Sequence, residues 1–215
     1  MIKKFIIFGP PGIGKGTLAS QAASKYNLEH VSTGNIFREE IAKKTPLGIK
    51  LKEIVDNGLY VSDEITNEIV KNKLAELESQ NRGFILDGYP RTKHQLDYLF
   101  SLYDYADFSA WILEADDAII LKRLSGRRFC LTCKATYHID TKKSQNGDFC
   151  ENDNQKLIQR ADDEPKAVSK RLEVYHEQTA LLKSQLISLK IAKIINAEGT
   201  PEAVLKELEK VEDFG

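Results

Sequence analysis

Short apolar runs recur along the chain at Phe5–Phe8, Phe84–Leu86, Ala110–Leu113 and Ile191–Ile195, and each is followed by a polar stretch of helical character. Strands that are apolar throughout have both faces covered, so this alternation predicts an α/β fold with a parallel sheet between two layers of helices. Pro165 suits the first turn of a helix, where its missing N–H has no partner to lose. Val168, Leu172, Tyr175, Thr179 and Leu182 then recur at steps of four and three, which predicts one helix with a single buried face. Two segments break the alternation. Residues 33–61 read as helices without a core strand, and residues 127–164 are polar and contain every cysteine. Both read as lobes inserted into one core. The expected organisation is a core of 1–31, 62–126 and 165–215, one lobe at 32–61 and a second at 127–164. No internal repeat, low-complexity tract or linker interrupts this pattern.

The 215 residues, 41% of them hydrophobic, suffice for one sizeable core. A net charge of -1 gives no bulk electrostatic case for nucleic acid or an anionic membrane surface. The run Phe5–Phe8 is too short for a signal peptide, and no stretch approaches the roughly 20 apolar residues that span a bilayer, so a cytoplasmic protein is expected. The 3 cysteines cannot all pair, and they cluster between Cys130 and Cys150, which favours metal ligation over a disulfide framework. Cys130-Leu-Thr-Cys133 and Cys150-Glu-Asn-Asp153 form two hooks with the spacing of a structural zinc site. Three thiolates and a carboxylate would leave no open position on the metal. His138 and Asp148 are rival fourth ligands, and three ordinary free thiols are the bland alternative. His30 falls in a predicted strand, and His94 and His176 fall in predicted helices. None has a convergent partner, so they read as structural or surface residues.

The sharpest motif is Gly9-Pro-Pro-Gly12-Ile13-Gly14-Lys15-Gly16-Thr17, between a predicted strand and a helix from Lys15 to about Tyr26. Glycines let successive N–H groups turn toward phosphate oxygens, the helix N-terminus adds its positive end, and Lys15 supplies a point charge. The general phosphate-loop pattern has a hydroxyl residue directly after the lysine, whereas here Gly16 intervenes before Thr17.

This shifted threonine resembles the phosphate loop of nucleoside monophosphate kinases, adenylate kinases above all. Ser32-Thr33-Gly34-Asn35-Ile36-Phe37-Arg38 is similar to that family's monophosphate-binding turn and helix. Leu86-Asp87-Gly88-Tyr89-Pro90-Arg91-Thr92 is similar to its second signature, with Gln95 one turn on. Gly126-Arg127-Arg128 and Arg160-Ala161-Asp162-Asp163 bracket a lid like that of the long, zinc-bearing adenylate kinases, and Arg171 follows. The resemblance implies a P-loop doubly wound core, a monophosphate-binding lobe at 32–61 and a zinc-bearing lid at 127–164. It implies Mg²⁺-dependent transfer of a phosphoryl group from ATP to AMP, giving two ADP, by a monomer. ATP would be held by Gly12, Ile13, Gly14, Lys15, Gly16 and Thr17, with Arg127, Thr136, Tyr137 and the backbone of Gly199 near its base. AMP would be held by Thr33, Arg38, the backbone of Leu59, Tyr60 and Val61, and by Gly88, Tyr89, Pro90, Arg91, Gln95, Arg160 and Arg171. Lys15, Arg91, Arg123, Arg127, Arg160 and Arg171 would carry the catalytic charge, and Asp87 would reach Mg²⁺ through water. The family's usual prolines near Ser62 and at Leu181 are absent here.

The arginines fit this chemistry. Phosphoryl transfer spreads charge over equatorial oxygens, and an AMP phosphate is already ionised, so positioning and charge matter and no general base is needed. A forked guanidinium holds two phosphate oxygens at once. Asp162 and Asp163 read either as lid-closing partners or as caps of the helix near Pro165. A kinase for UMP or CMP is a close rival, and a GTP donor a smaller one. A P-loop switch protein with a zinc docking lobe is the rival from another class.

Overall fold

The computed structural model describes residues 2–214; Met1 and Gly215, the outer bounds of the expected core segments, lie outside the described residues. Five parallel strands form one sheet: β1 (Lys4–Phe8), β2 (Glu29–Ser32), β3 (Phe84–Asp87), β4 (Phe108–Glu114) and a later strand numbered below, in the order β2-β3-β1-β4 with that last strand outermost. The four apolar runs of the sequence all lie in or against this sheet. The fifth strand, β2, is a mixed segment whose sheet pairing is to β3, and only Val31 and Ser32 of it are buried.

Alternation along each strand divides the core in two. Ile6, Phe8, Leu86, Ala110 and Ile112 face one side, where α4 (Asp63–Ser79) and α5 (Lys93–Leu102) bring Val70, Leu74, Leu77, Leu96 and Leu99. Phe5, Ile7, Ile85, Trp111 and Leu113 face the other, against Leu18, Ala19, Ala22 and Ala23 of α1 (Lys15–Tyr26). Each large side chain so buried contributes about 1.5–3 kcal/mol, which places most of the stability in this sandwich.

Helices α2 (Thr33–Ala42) and α3 (Pro46–Asp56) pack on one another without a strand. Their capping is local: Ser32 accepts from Asn35 N–H, and Thr45 accepts from Gly48 N–H. After α6 (Asp117–Ser125) come β5 (Arg127–Phe129) and β6 (Thr136–His138), an antiparallel pair forming a separate small sheet. Cys130, Tyr137, Cys150 and Leu157 form the buried cluster within this lobe, too small to stabilise it by burial alone.

The helix expected from Pro165 is divided. α7 (Pro165–Val174) passes into a π-helical turn at Tyr175–Thr179, then α8 (Leu182–Ser188) follows. Ala180 N–H reaches Tyr175 O at 2.8 Å, the longer loop of a π turn. Val168, Thr179 and Leu182 are buried, while Leu172 and Tyr175 are only half-buried, and His176 sits exposed in the π turn. β7 (Ala192–Asn196), the outermost strand beside β4, leads to α9 (Pro201–Val211), capped by Thr200. No helix among the described residues is long and apolar enough to cross a membrane.

Candidate active site

The carboxyl ends of β1 and β3 open on a cavity of about 1030 Å³, the usual place for a ligand in a parallel α/β sheet. The loop after β1 is shaped by glycine. Gly12 has φ +84°, and a Cβ there would meet Leu124 Cγ at 2.5 Å, so no other residue fits. Lys15 opens α1 and donates to the carbonyls of Gly9 (2.7 Å) and Pro10 (2.8 Å). Burial pushes its ammonium down to about 7, against the pull of Asp87 and with the push of Arg91, Arg171 and Arg127. Asp87, at the end of β3, meets His30 Nε2 at 3.1 Å. Burial would raise its carboxyl, but the hydrogen bond and charge of His30, with Lys15 and Arg91, hold it at about 2. An ionised carboxylate facing the phosphate loop fits a hydrated divalent cation.

Around this centre lie Arg38 from α2, Arg91 after β3, Arg127 from β5, Arg160 before α7 and Arg171 within it. Arg91 Nε donates to Gly88 O at 2.8 Å, and its guanidinium lies 4.9 Å from the Tyr60 ring centroid. Asp163 accepts from Arg127 Nε at 2.7 Å, from Arg127 Nη2, and from Arg171 Nη1 at 3.0 Å. Asp162 pairs with Arg171 at 3.0 Å. α7 has no side-chain cap, so both acids serve the arginines rather than the helix end. Arg160 stacks 3.9 Å from the Phe129 ring, and Arg38 lies 5.7 Å from the same ring. The buried Nε atoms of Arg38 and Arg160 have no hydrogen-bond partner. Burial brings Arg38 down to about 10, against Asp162, and lowers Arg160 well below the usual guanidinium value. Six cations with Lys15 thus face three carboxylates in a desolvated space. Such an arrangement is incomplete without an anion of several charges.

Two of the predicted arginines, both lining the cavity, are also held by partners within the chain. Arg127, expected beside a donor base, has its guanidinium bound along one edge by Asp163. Arg123 binds four backbone carbonyls: its two terminal nitrogens donate to Ile13 O (3.0 Å), Ala197 O (2.7 Å), Glu198 O (2.9 Å) and Gly199 O (3.0 Å). It secures the phosphate loop to the loop after β7. Thr136, Tyr137 and Gly199 line the cavity. Thr33, Leu59, Tyr60, Val61, Gly88 and Gln95 also line the cavity. Thr33 Oγ1 donates to Gly88 O at 2.9 Å. Tyr89 is 1% exposed, its hydroxyl donating to Asn67 Oδ1 at 2.7 Å, so its side chain belongs to the core rather than the cavity. Pro90 lines a small adjoining pocket with Gly88, Arg91 and Arg171. Sequence reasoning missed His30 as the partner of Asp87, Phe129 beneath the arginines and Asp63 beside Gln95; no linear spacing links any of these pairs.

In the lid, the ligand atoms of Cys130, Cys133, Cys150 and Asp153 all lie within 4.8 Å of one another. The two hooks repeat the same turn. Lys134 N–H meets Cys130 O and Asn154 N–H meets Cys150 O; Cys130 N–H meets Ala135 O and Cys150 N–H meets Gln155 O. Lys134 (φ 65°) and Asn154 (φ 54°) take the left-handed conformation at matching positions. The Cys133–Cys150 sulfur separation of 3.4 Å is far beyond a disulfide and suits two thiolates on one tetrahedral zinc. His138 is excluded as fourth ligand, because Nδ1 accepts from Asp140 and Thr141 N–H and Nε2 faces Lys122 O at 3.3 Å. Asp148 lies outside the cluster.

The family model for adenylate kinase matches residues 7–187. The chain is 57% identical over 210 residues to the adenylate kinase of Mycoplasmopsis pulmonis, covering 98% of each. The chain belongs to the adenylate kinase family. It is also 44% identical to the adenylate kinase of Mycoplasma mobile over 95% of each chain, and 44% identical to that of Ruminiclostridium cellulolyticum over 93% of each. The matched span runs from within β1 to within α8, so it takes in the phosphate loop, the arginine cluster and the lid, and leaves β7 outside.

Proposed function

We propose that the cavity holds two nucleotides end to end, ATP on the phosphate loop and AMP between α2, Gly88 and α5, with their phosphates meeting in the arginine cluster. As a member of its family the chain is a nucleoside monophosphate kinase, a transferase catalysing ATP + AMP ⇌ 2 ADP. The observation that carries the residue-level reading is the cluster itself: arginines from four separate segments converge with Lys15, and two of them retain unpartnered buried N–H groups.

In the forward reaction an AMP phosphate oxygen attacks the γ-phosphorus of ATP, and the bond from that phosphorus to the β-bridging oxygen breaks. Lys15, released from Gly9 O and Pro10 O, would follow the β/γ-phosphates. Arg38 and Arg91 would hold the acceptor phosphate. Arg127, Arg160 and Arg171 would neutralise charge on the transferring group, worth more here than in water because the site is dry. The acceptor oxygen is ionised already, so no side chain need take a proton. Asp87 would hold through water the Mg²⁺ that accompanies ATP, and that cation would supply charge to screen the polyphosphate. Arg123 would offer the face of a rigid guanidinium to the donor base beside Gly199.

The segments 32–61 and 127–164 are proposed as the two mobile lobes, acting in a cytoplasmic monomer. Their proximity, with Arg38 near Phe129, supports a closed arrangement that would exclude water. Cys130, Cys133, Cys150 and Asp153 would hold a structural Zn²⁺ that folds the lid.

The test is inhibition by two adenosines joined through five phosphates. Competition with both ATP and AMP is expected, since linking removes one association cost. Competition with ATP alone would reject the two-site reading.

A further inference from the structure

Gln95 is 2% exposed and is held from both ends of its amide. Its Oε1 accepts from Arg91 N–H at 2.7 Å, and its Nε2 donates to Asp63 Oδ1 at 2.7 Å. A backbone N–H only donates and a carboxylate only accepts, so these two partners determine which end of the amide is oxygen. Asp63 is itself fixed. Thr92 Oγ1 donates to its Oδ2 at 2.9 Å, and the same hydroxyl caps α5 by accepting from Gln95 N–H at 3.1 Å. His94 Nδ1 lies 3.4 Å from that Oδ2.

What remains unspent on Gln95 is one N–H and one oxygen lone pair, in a fixed order. The residue lines the cavity with Thr33, Val61, Gly88 and Arg91. That order matches the edge of adenine, whose 6-amino group donates and whose N1 accepts. Hypoxanthine and guanine present the reverse, an O6 acceptor beside an N1–H donor. They would set oxygen against oxygen and N–H against N–H. An amide free to turn over would suit either kind of base.

We infer that Asp63 is a specificity-determining positioning residue: by holding Nε2 it keeps Gln95 in the orientation that accepts a 6-amino purine monophosphate and rejects a 6-oxo one. This rests on the acceptor-site reading above. Asp63 and Glu64 also supply negative charge to the first turn of α4, a role an asparagine would abolish as fully as an alanine.

The experiment compares AMP and IMP as acceptors with ATP as donor, scoring the ratio of their kcat/KM values. Asp63→Ala leaves Arg91 N–H as the amide's one remaining partner, so it is expected to lower that ratio severalfold, up to about tenfold, with the KM for ATP unchanged. Asp63→Asn retains an oxygen for Nε2 and an N–H for the Thr92 hydroxyl, so it should hold the ratio near the wild-type value. Asp63→Ser, too short to reach Gln95, gives the same reading as alanine should that variant not fold. An unchanged ratio in Asp63→Ala, or an equal loss in the alanine and asparagine variants, would overturn the inference. Gln95→Ala separates the two levels. If it leaves the ratio unchanged, the acceptor-base reading fails and the inference with it. If it lowers the ratio while Asp63→Ala does not, only the role of Asp63 fails.

Discussion

Replacing Asp163 by asparagine should unfold the empty protein at a much lower temperature than the liganded one. The carboxylate is fully enclosed, with a side-chain exposure of 0%, and joins Arg127 to Arg171. Removing its charge leaves two buried guanidinium groups answered only by Asp162, in a space that Arg38 and Arg160 also share. Breaking one partner of a buried ion pair typically costs about 3–5 kcal/mol. Asparagine keeps one accepting oxygen, so the low end, about 3 kcal/mol, is expected here. In a chain of this length that lowers the melting temperature by about 6–12 °C. The five-phosphate bisubstrate mimic brings its own negative charge to the same arginines, so with it bound the loss should shrink to less than half. Thermal unfolding followed by circular dichroism, with and without the mimic, measures both quantities. A fall of under about 2 °C in the empty protein, or an equal fall in the two states, would refute the reasoning.

Other expectations follow from the same geometry. Lys15 titrates at about 7 in the empty site, and a polyphosphate beside it must raise that value; MgATP binding should therefore take up a proton above pH 7, and affinity should fall by at most about fiftyfold from pH 7 to 9. Calorimetry in buffers of different ionisation enthalpy reads the uptake directly, and none at pH 8 would be the contrary result. Zinc should bind at one ion per chain, with chelation lowering the melting temperature, and Cys150→Ser should bind it more weakly while Asp153→Cys retains it. Elemental analysis and melting curves check this; a melting temperature indifferent to both zinc and chelator would contradict it.

The fold was legible where the sequence carries periodicity. The apolar runs lie within or against core strands because a strand covered on both faces must be apolar along its length. The long helix was read as unbroken because a π turn leaves the heptad-like spacing of Val168, Leu172 and Tyr175 intact up to the point where it occurs. The phosphate loop and the metal hooks were legible because their chemistry is local. What lay beyond reach were partnerships across the fold. Nothing in the sequence places Asp63 against Gln95, Phe129 beneath Arg160, or Arg123 on four carbonyls, because each depends on how separate elements meet. Arg127 and Arg123 are near neighbours along α6 and β5, yet one meets a buried acid and the other the backbone of a distant loop.

The four bonds of Arg123 have a consequence in time. Its guanidinium joins Ile13, near the start of the chain, to Ala197, Glu198 and Gly199, near the end. During synthesis the phosphate loop emerges long before the segment that secures it. A nascent or truncated chain ending before β7 lacks that brace, and ATP binding by such a chain is expected to be weak, as equilibrium binding to a chain ending at Lys190 would show. The staple thus makes the final shape of the phosphate loop depend on a segment synthesised long after it.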